Sequence, residues 1–112
     1  MSYDRFDVVV VPFPFTDKPN AKRRPALVIS NAKVFNKKAR HSVMAMITSA
    51  QNDPWPLDVE IADLSSAGLP APSVVRMKLF TLDHRLIISK AGVLLEKDRK
   101  RVAEVVAALF DE

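Results

Sequence analysis

The hydrophobic pattern of this chain changes only once, close to the C-terminus. Before about residue 95, apolar residues come in short runs bounded by proline, glycine and polar residues, which is typical of strands. From about Lys97 to Phe110, apolar residues instead recur at helical spacing. We therefore predict a mainly β (α+β) fold with five or six short strands. The sheet is small and strongly bent or closed into a barrel, and the apolar face of one C-terminal helix packs on it. The residues predicted for that face are Val102, Val105, Val106, Leu109 and Phe110.

The first strand is the most sharply defined. Val8 to Val11 are all β-branched and the run is too short for a helix, so we predict a strand that is buried on both faces. Pro12 and Pro14 should end its pairing or place it beside a sheet edge. The connection 31–40 has room for one helical turn. The other predicted strands are 26–29, 43–47, 57–61, 73–81 and 87–94.

Length and composition narrow the class of protein. The 112 residues predict one domain over 1–112. There is no cysteine, and two scattered histidines are too few to suggest a metal site, so we expect no metal and no cofactor. The N-terminus lacks the pattern of a secretion signal, and no apolar run approaches the roughly 20 residues that span a bilayer. We expect a soluble, cytoplasmic protein with no membrane partner.

Positive charge is concentrated in one segment. The net charge is +4, yet there is no carboxylate between Asp17 and Asp53. Such a segment attracts phosphate polymers or acidic partner segments, although a solvated basic loop would look the same. Its basic residues are Lys18, Lys22, Arg23, Arg24, Lys33, Lys37, Lys38 and Arg40.

Five short motifs follow one another over nearly the whole chain. They are Arg24-Pro25-Ala26-Leu27-Val28, Ile47-Thr48-Ser49, Pro56-Leu57-Asp58-Val59-Glu60-Ile61, Ser73-Val74-Val75-Arg76 and Phe80-Thr81-Leu82-Asp83. In this order the motifs resemble the MazF/PemK family of bacterial toxin–antitoxin ribonucleases. The resemblance implies an SH3-like barrel with a C-terminal helix, a homodimer and an antitoxin partner. It also implies metal-independent cleavage of single-stranded RNA. In that reaction the 2′-hydroxyl attacks phosphorus and leaves a 2′,3′-cyclic phosphate and a 5′-hydroxyl.

The same resemblance implies catalytic roles for Arg24, Thr48 and Arg76. A guanidinium can offset the charge that develops on the phosphate, although Arg24 could equally tether a neighbouring carboxylate. The hydroxyl of Thr48 can donate to a phosphate oxygen. We favour electrostatic stabilisation for Arg76, because a group with a pKa above about 12 is a poor general acid at neutral pH. The predicted RNA-binding residues around these three are Lys22, Arg23, Ser49 and Lys78.

The chain also departs from the family pattern. The loop before Arg24 lacks the glutamate or histidine of many relatives, while Lys78 and Phe80 replace an acid and an arginine. The general base therefore stays open among water, the surroundings of Arg24, and His41. A two-histidine ribonuclease would need His41 and His84 together, but no spacing argument joins them and we predict a surface turn for each.

The sequence leaves open the role of Trp55 and the activity of the protein as a whole. Trp55 could stack an unpaired base, or it could cover a barrel edge or a dimer seam. The whole protein could instead be a non-catalytic or gyrase-targeting binder of nucleic acid, protein or antitoxin. It could also be a dimeric scaffold whose basicity is incidental.

Overall fold

Six strands form one antiparallel sheet in the part of the chain described by the computed structural model, residues 3–15 and 20–111. The spatial order of the strands is β4-β5-β3-β2-β1-β6. The bounds are β1 Asp7–Phe13, β2 Lys22–Val28, β3 His41–Ser49, β4 Val59–Glu60, β5 Ser73–Asp83 and β6 Ser89–Val93. Asp17 and Lys18, at the start of the acid-free segment, lie outside the described residues.

Both faces of the sheet carry an apolar cluster. On one face Val8 and Leu27 pack together with Val102 of the C-terminal helix. On the other face Val9 and Val11 pack with other buried residues. Because successive side chains of a strand point to opposite faces, the all-valine run of β1 supplies both clusters. Burial on both faces is confirmed for Val8, Val9 and Val11, whereas Val10 is half-buried.

The ends of β1 differ from the prediction. Pairing with β2 continues past Pro12, since Pro12 lies opposite Arg23 and Phe13 opposite Lys22. β6 pairs with β1 only as far as Val10, so beyond that point one side of β1 is an open edge. A residue without an N–H is tolerated there.

Four helical segments connect or close the sheet within the described ranges. After β2, a π-helical turn at Ala32–Asn36 continues into α1 at Lys37–Ala39, more than the single turn predicted. The short α2 at Leu64–Ala67 was not predicted. A 3₁₀ turn at His84–Leu86 follows β5, and α3 spans Glu96–Phe110. No helix among the described residues is both long enough and apolar enough to cross a membrane.

The apolar face of α3 is only partly covered. Val102 is fully buried, and Val105 and Val106 pack against the same cluster. Leu109 is 38% exposed and Phe110 is 74% exposed. The prediction that all five residues pack on the sheet is therefore wrong for the last turn of the helix.

The fourth predicted strand is also shorter than expected. The alternation over 57–61 predicts five residues, but β4 contains only Val59–Glu60. Leu57 adopts a positive φ of 67°, which belongs to a turn and cannot continue a strand. This turn directs the 52–58 segment toward the candidate site.

Candidate active site

The candidate site lies on three neighbouring strands, β2, β3 and β5. Ala26 pairs with Met46, and Met46 pairs with Arg76 on the other side. Extending the β2–β3 register by two residues places Arg24 opposite Thr48. Since residues two apart share a face, these side chains project from the same surface of the sheet.

A cavity of about 310 Å³ occupies this surface. It brings together four of the residues predicted from the sequence, Arg24, Thr48, Arg76 and Lys78. The other lining residues are Phe13, Met46, Ile47 and Asn52.

Three predicted RNA-binding residues do not line this cavity. Arg23 precedes Arg24 by one position and Ser49 follows Thr48 by one position. Because side chains alternate along a strand, both point to the opposite face of the sheet. Lys22 is the first residue of β2. It is exposed and is not one of the residues that line the cavity.

Arg24 is exposed and its guanidinium is available. Within the described ranges, its side chain makes no hydrogen bond and no ion pair with any protein group. The alternative role, tethering a neighbouring carboxylate, therefore has no partner in this part of the chain. All five N–H donors of the guanidinium can serve a ligand.

Arg76 is in the opposite situation, because Asp58 holds it in a bidentate ion pair. Its Nε donates to Oδ1 at 3.2 Å and its Nη2 donates to Oδ2 at 2.9 Å. Nη2 also donates to the carbonyl oxygen of Asp53 at 2.7 Å. Donation to the Asp58 carboxylate raises the pKa of Arg76 above its usual value, and the same hydrogen bonds lower the pKa of Asp58. A raised pKa disfavours proton donation by Arg76 and suits a fixed positive charge.

Thr48 is oriented by Asn52, a residue that sequence reasoning missed. The Nδ2 amide of Asn52 donates to Oγ1 of Thr48 at 2.6 Å. Because this bond uses a lone pair of the hydroxyl oxygen, the hydroxyl proton stays available for another acceptor. The only signal in the sequence is an amide four residues after the threonine.

The 52–58 segment also positions a tryptophan over the cations of the site. The Nζ of Lys78 lies 4.6 Å from the ring centre of Trp55, and Arg76 lies 5.8 Å from it. The backbone N–H of Trp55 donates to Asp58 Oδ2 at 3.0 Å, which fixes the turn. Trp55 is 42% exposed, so its outer surface can take either role considered above.

Phe80, which replaces an arginine of the family pattern, belongs to an aromatic cluster beside the cavity. Its ring stacks on Phe15 at a centroid distance of 4.4 Å, and Phe15 contacts Phe13 edge to face at 5.6 Å. An aromatic ring therefore stands where the family pattern has a charge, in a cluster that reaches the cavity through Phe13.

Neither histidine reaches this cavity. His41 begins β3, seven residues before Thr48, and His84 lies in the turn after β5. Both line a different cavity, so His41 is wrong as a candidate base. The predicted surface turn is confirmed for His84 and wrong for His41, which belongs to a strand. In residues 3–15 and 20–111, no group of three or more histidine, cysteine or carboxylate side chains is placed to hold a metal ion.

Solved structures with a similar architecture include MazF toxins. A MazE–MazF complex from Deinococcus radiodurans superposes with a TM-score of 0.75 at 20% identity, covering 100% of both chains. The Mycobacterium tuberculosis toxin MazF-mt6 gives 0.73 at 22% identity, covering 94% of this chain and 96% of the toxin. An endoribonuclease in complex with its cognate antitoxin, from a mycobacterial species, gives 0.74 at 15% identity over 96% and 93%. The fold is thus that of the MazF toxins, as the sequence resemblance implied.

The family itself is established by sequence. The profile of the "PemK-like, MazF-like toxin of type II toxin-antitoxin system" matches residues 4–110. The chain therefore belongs to the PemK/MazF toxin family. A comparison with curated proteins found no sequence match.

Proposed function

We propose that this protein is the toxin of a type II toxin–antitoxin pair and cleaves single-stranded RNA without a metal ion. The observation that carries the proposal is the convergence of Arg24, Thr48 and Arg76 on one cavity. A fixed cation, a free guanidinium and an oriented hydroxyl are the groups that a reacting phosphodiester requires.

The two arginines would divide the work on the phosphate. Arg24 has free donors and can hold two phosphate oxygens in the fork geometry that lysine lacks. Arg76 keeps Nη1 without a protein partner among the described residues, so it can present one further donor from a rigid position. Its charge is partly offset by Asp58, which makes Arg24 the stronger contributor.

Thr48 completes the set of donors. With its oxygen held by Asn52, the hydroxyl proton can point to a phosphate oxygen as negative charge develops. Lys78 and the exposed ring of Trp55 extend the site for the flanking nucleotides. Unpaired bases are the expected target, because the bases of an A-form helix are poorly accessible to side chains.

The chemical step is an in-line transfer. The ribose 2′-oxygen forms a bond to phosphorus, the bond to the 5′-oxygen breaks, and the products are a 2′,3′-cyclic phosphate and a 5′-hydroxyl. The 2′-oxygen loses a proton and the 5′-oxygen gains one. Since no described lining residue is a carboxylate or an imidazole, we assign both transfers to solvent water.

We further propose that the toxin acts as a homodimer in the cytoplasm and is neutralised by an antitoxin. Support for the antitoxin comes from two solved structures, a MazE–MazF complex and an endoribonuclease in complex with its cognate antitoxin. The acid-free basic segment would suit an acidic antitoxin segment.

The test is incubation of the purified protein with a long, weakly structured RNA in EDTA. Discrete fragments with 5′-hydroxyl and 2′,3′-cyclic phosphate ends are expected, and end-group analysis by kinase labelling reads them. Intact RNA after prolonged incubation with excess protein would overturn the enzymatic proposal.

One observation favours a second candidate, a non-catalytic or gyrase-targeting toxin-fold binder. Asp58 occupies two of the nitrogen atoms of Arg76, and none of the described lining residues is a base. This candidate predicts intact RNA together with measurable binding of RNA, gyrase or an antitoxin.

A further inference from the structure

A second, larger cavity lies at the other end of the β3–β5 ladder. His41 pairs with Asp83 at that end, and seven residues along β3 separate it from Thr48, about 23 Å of extended strand. The cavity measures about 900 Å³. Its charged and titratable lining residues are Lys37, Arg40, His41, Asp83, His84 and Arg85. We call it the basic cavity.

The charges of the basic cavity do not cancel. Asp83 is already bound by Arg85, whose Nη2 lies 2.7 Å from its Oδ2. Within the described residues, Lys37 and Arg40 have no carboxylate at ion-pair distance. With both histidines neutral, three cations face one anion, so the lining carries a net charge of about +2.

Hydrogen bonds hold the walls of the basic cavity in place. The backbone N–H of His84 donates to the carbonyl oxygen of Arg40 at 3.0 Å, which ties the turn after β5 to the end of α1. The N–H of Arg40 donates to the carbonyl oxygen of Asn36 at 2.9 Å. Asn36 is fully buried, and its amide donates to the carbonyl oxygens of Tyr3 and Ser30, both at 2.9 Å. The site is therefore preorganised.

Arg40 occupies a backbone position that favours glycine. Its φ is +55° and its ψ is +28°, the left-handed conformation in which many helices end on glycine. A long charged side chain occupies this position although the backbone conformation favours glycine.

Both imidazoles are held by hydrogen bonds at the cavity. Nδ1 of His41 donates to the carbonyl oxygen of Ala39 at 2.8 Å, so in the neutral ring Nε2, which lies 3.9 Å from Asp83, carries no proton. Nε2 of His84 contacts the hydroxyl of Ser42 at 2.8 Å, which leaves its Nδ1 for a ligand.

From this arrangement we propose that the basic cavity binds a phosphate group. Arg40 and Lys37 supply the unpaired charge, and the histidines and Arg85 surround it. The phosphate can belong to a free or terminal phosphate monoester or to the backbone of a nucleic-acid strand, since both present the same oxygens. This site is separate from the candidate active site and does not depend on RNA cleavage.

The histidines themselves report the binding. The chain contains only two, both in the basic cavity, so imidazole Cε1–H signals in a ¹H–¹³C correlation spectrum report on it. We would titrate the protein at constant pH and ionic strength with inorganic phosphate, using chloride as the reference salt. Parallel titrations would use a short single-stranded DNA with and without a 5′-phosphate.

The matched variants are Arg40→Gly and Lys38→Ala. Glycine suits the backbone at position 40, so Arg40→Gly should keep its Tm while it binds phosphate at least tenfold more weakly. Lys38 is a neighbouring exposed lysine that does not line the cavity, so Lys38→Ala should bind like the wild type. Arg24→Ala should also leave the histidine response intact.

The outcomes are distinct. Saturable histidine shifts with inorganic phosphate, or only with the 5′-phosphorylated DNA, support a monoester site. Equal shifts with both DNAs and none with inorganic phosphate support a backbone site. No saturable shift with any probe, or wild-type affinity in Arg40→Gly, would overturn the proposal, whether or not the protein cleaves RNA.

Discussion

Replacing Arg24 by alanine should separate catalysis from folding. The side chain is exposed, so its removal breaks no hydrogen bond or ion pair with any residue that the structure describes. Substitutions of this kind change the free energy of unfolding by less than about 0.5 kcal/mol. At about 4 °C per kcal/mol, the Tm should move by no more than about 2 °C.

The expected loss of rate is much larger. Removing one preorganised donor from a developing oxyanion costs about 2.7–4 kcal/mol in the transition state, which is about 10²–10³ in kcat. Arg24→Lys keeps the charge and loses the fork geometry, so its rate should fall between those of Arg24→Ala and the wild type.

The assay is single-turnover cleavage of a short fluorophore–quencher RNA in EDTA, with protein in excess. Lys100→Ala is the control, because it removes an exposed positive charge from α3, away from the candidate site. An Arg24→Ala rate within threefold of the wild type would refute the reasoning. A Tm that falls by more than about 5 °C would also refute it, because the Arg24 side chain would then contribute to the stability of the fold.

Three further predictions concern the surroundings of the site. Asn52→Ala removes the donor to Thr48 and should lower the cleavage rate by about 2- to 12-fold, the range for one neutral hydrogen bond of 0.5–1.5 kcal/mol. An unchanged rate would mean that the hydroxyl needs no orientation. Asp58→Asn should lower the Tm by about 5 °C at neutral pH. The folded pKa of Asp58 is lowered from 3.8, so its stabilisation is complete above that value, and the Tm gap should close as the pH falls further. Asp98→Asn should cost about 2–4 kcal/mol in urea unfolding, because the buried carboxylate accepts from two backbone N–H groups and Arg101; a loss below 1 kcal/mol would contradict this.

Local patterning predicted most of the fold. β-branched runs and helical spacing depend on neighbours in the chain, so the strands around Val8 to Val11 and the helix α3 follow from the sequence, and the predicted fold class is confirmed. The exposure of Phe110 could not be predicted, since a pattern marks a face as apolar and does not show what covers it. The positive φ of Leu57, which shortens β4, also has no clear sequence signal.

The candidate site was predictable only in part. The family motifs indicated Arg24, Thr48 and Arg76, but the partner of Arg76 depends on a contact across 18 positions. His41 and His84 come together because the β3–β5 register places them at one end of a ladder. Register over such distances is set by tertiary pairing, and no spacing rule in one sequence reveals it.

The 52–58 segment contacts two groups of the candidate site from one stretch of chain. Its first residue holds the hydroxyl of Thr48, and its last holds the guanidinium of Arg76. A partner that lifts the 52–58 segment from the sheet would release Thr48 and Arg76 together. An inhibitor could then act by binding the 52–58 segment at the edge of the cavity, without filling the cavity itself.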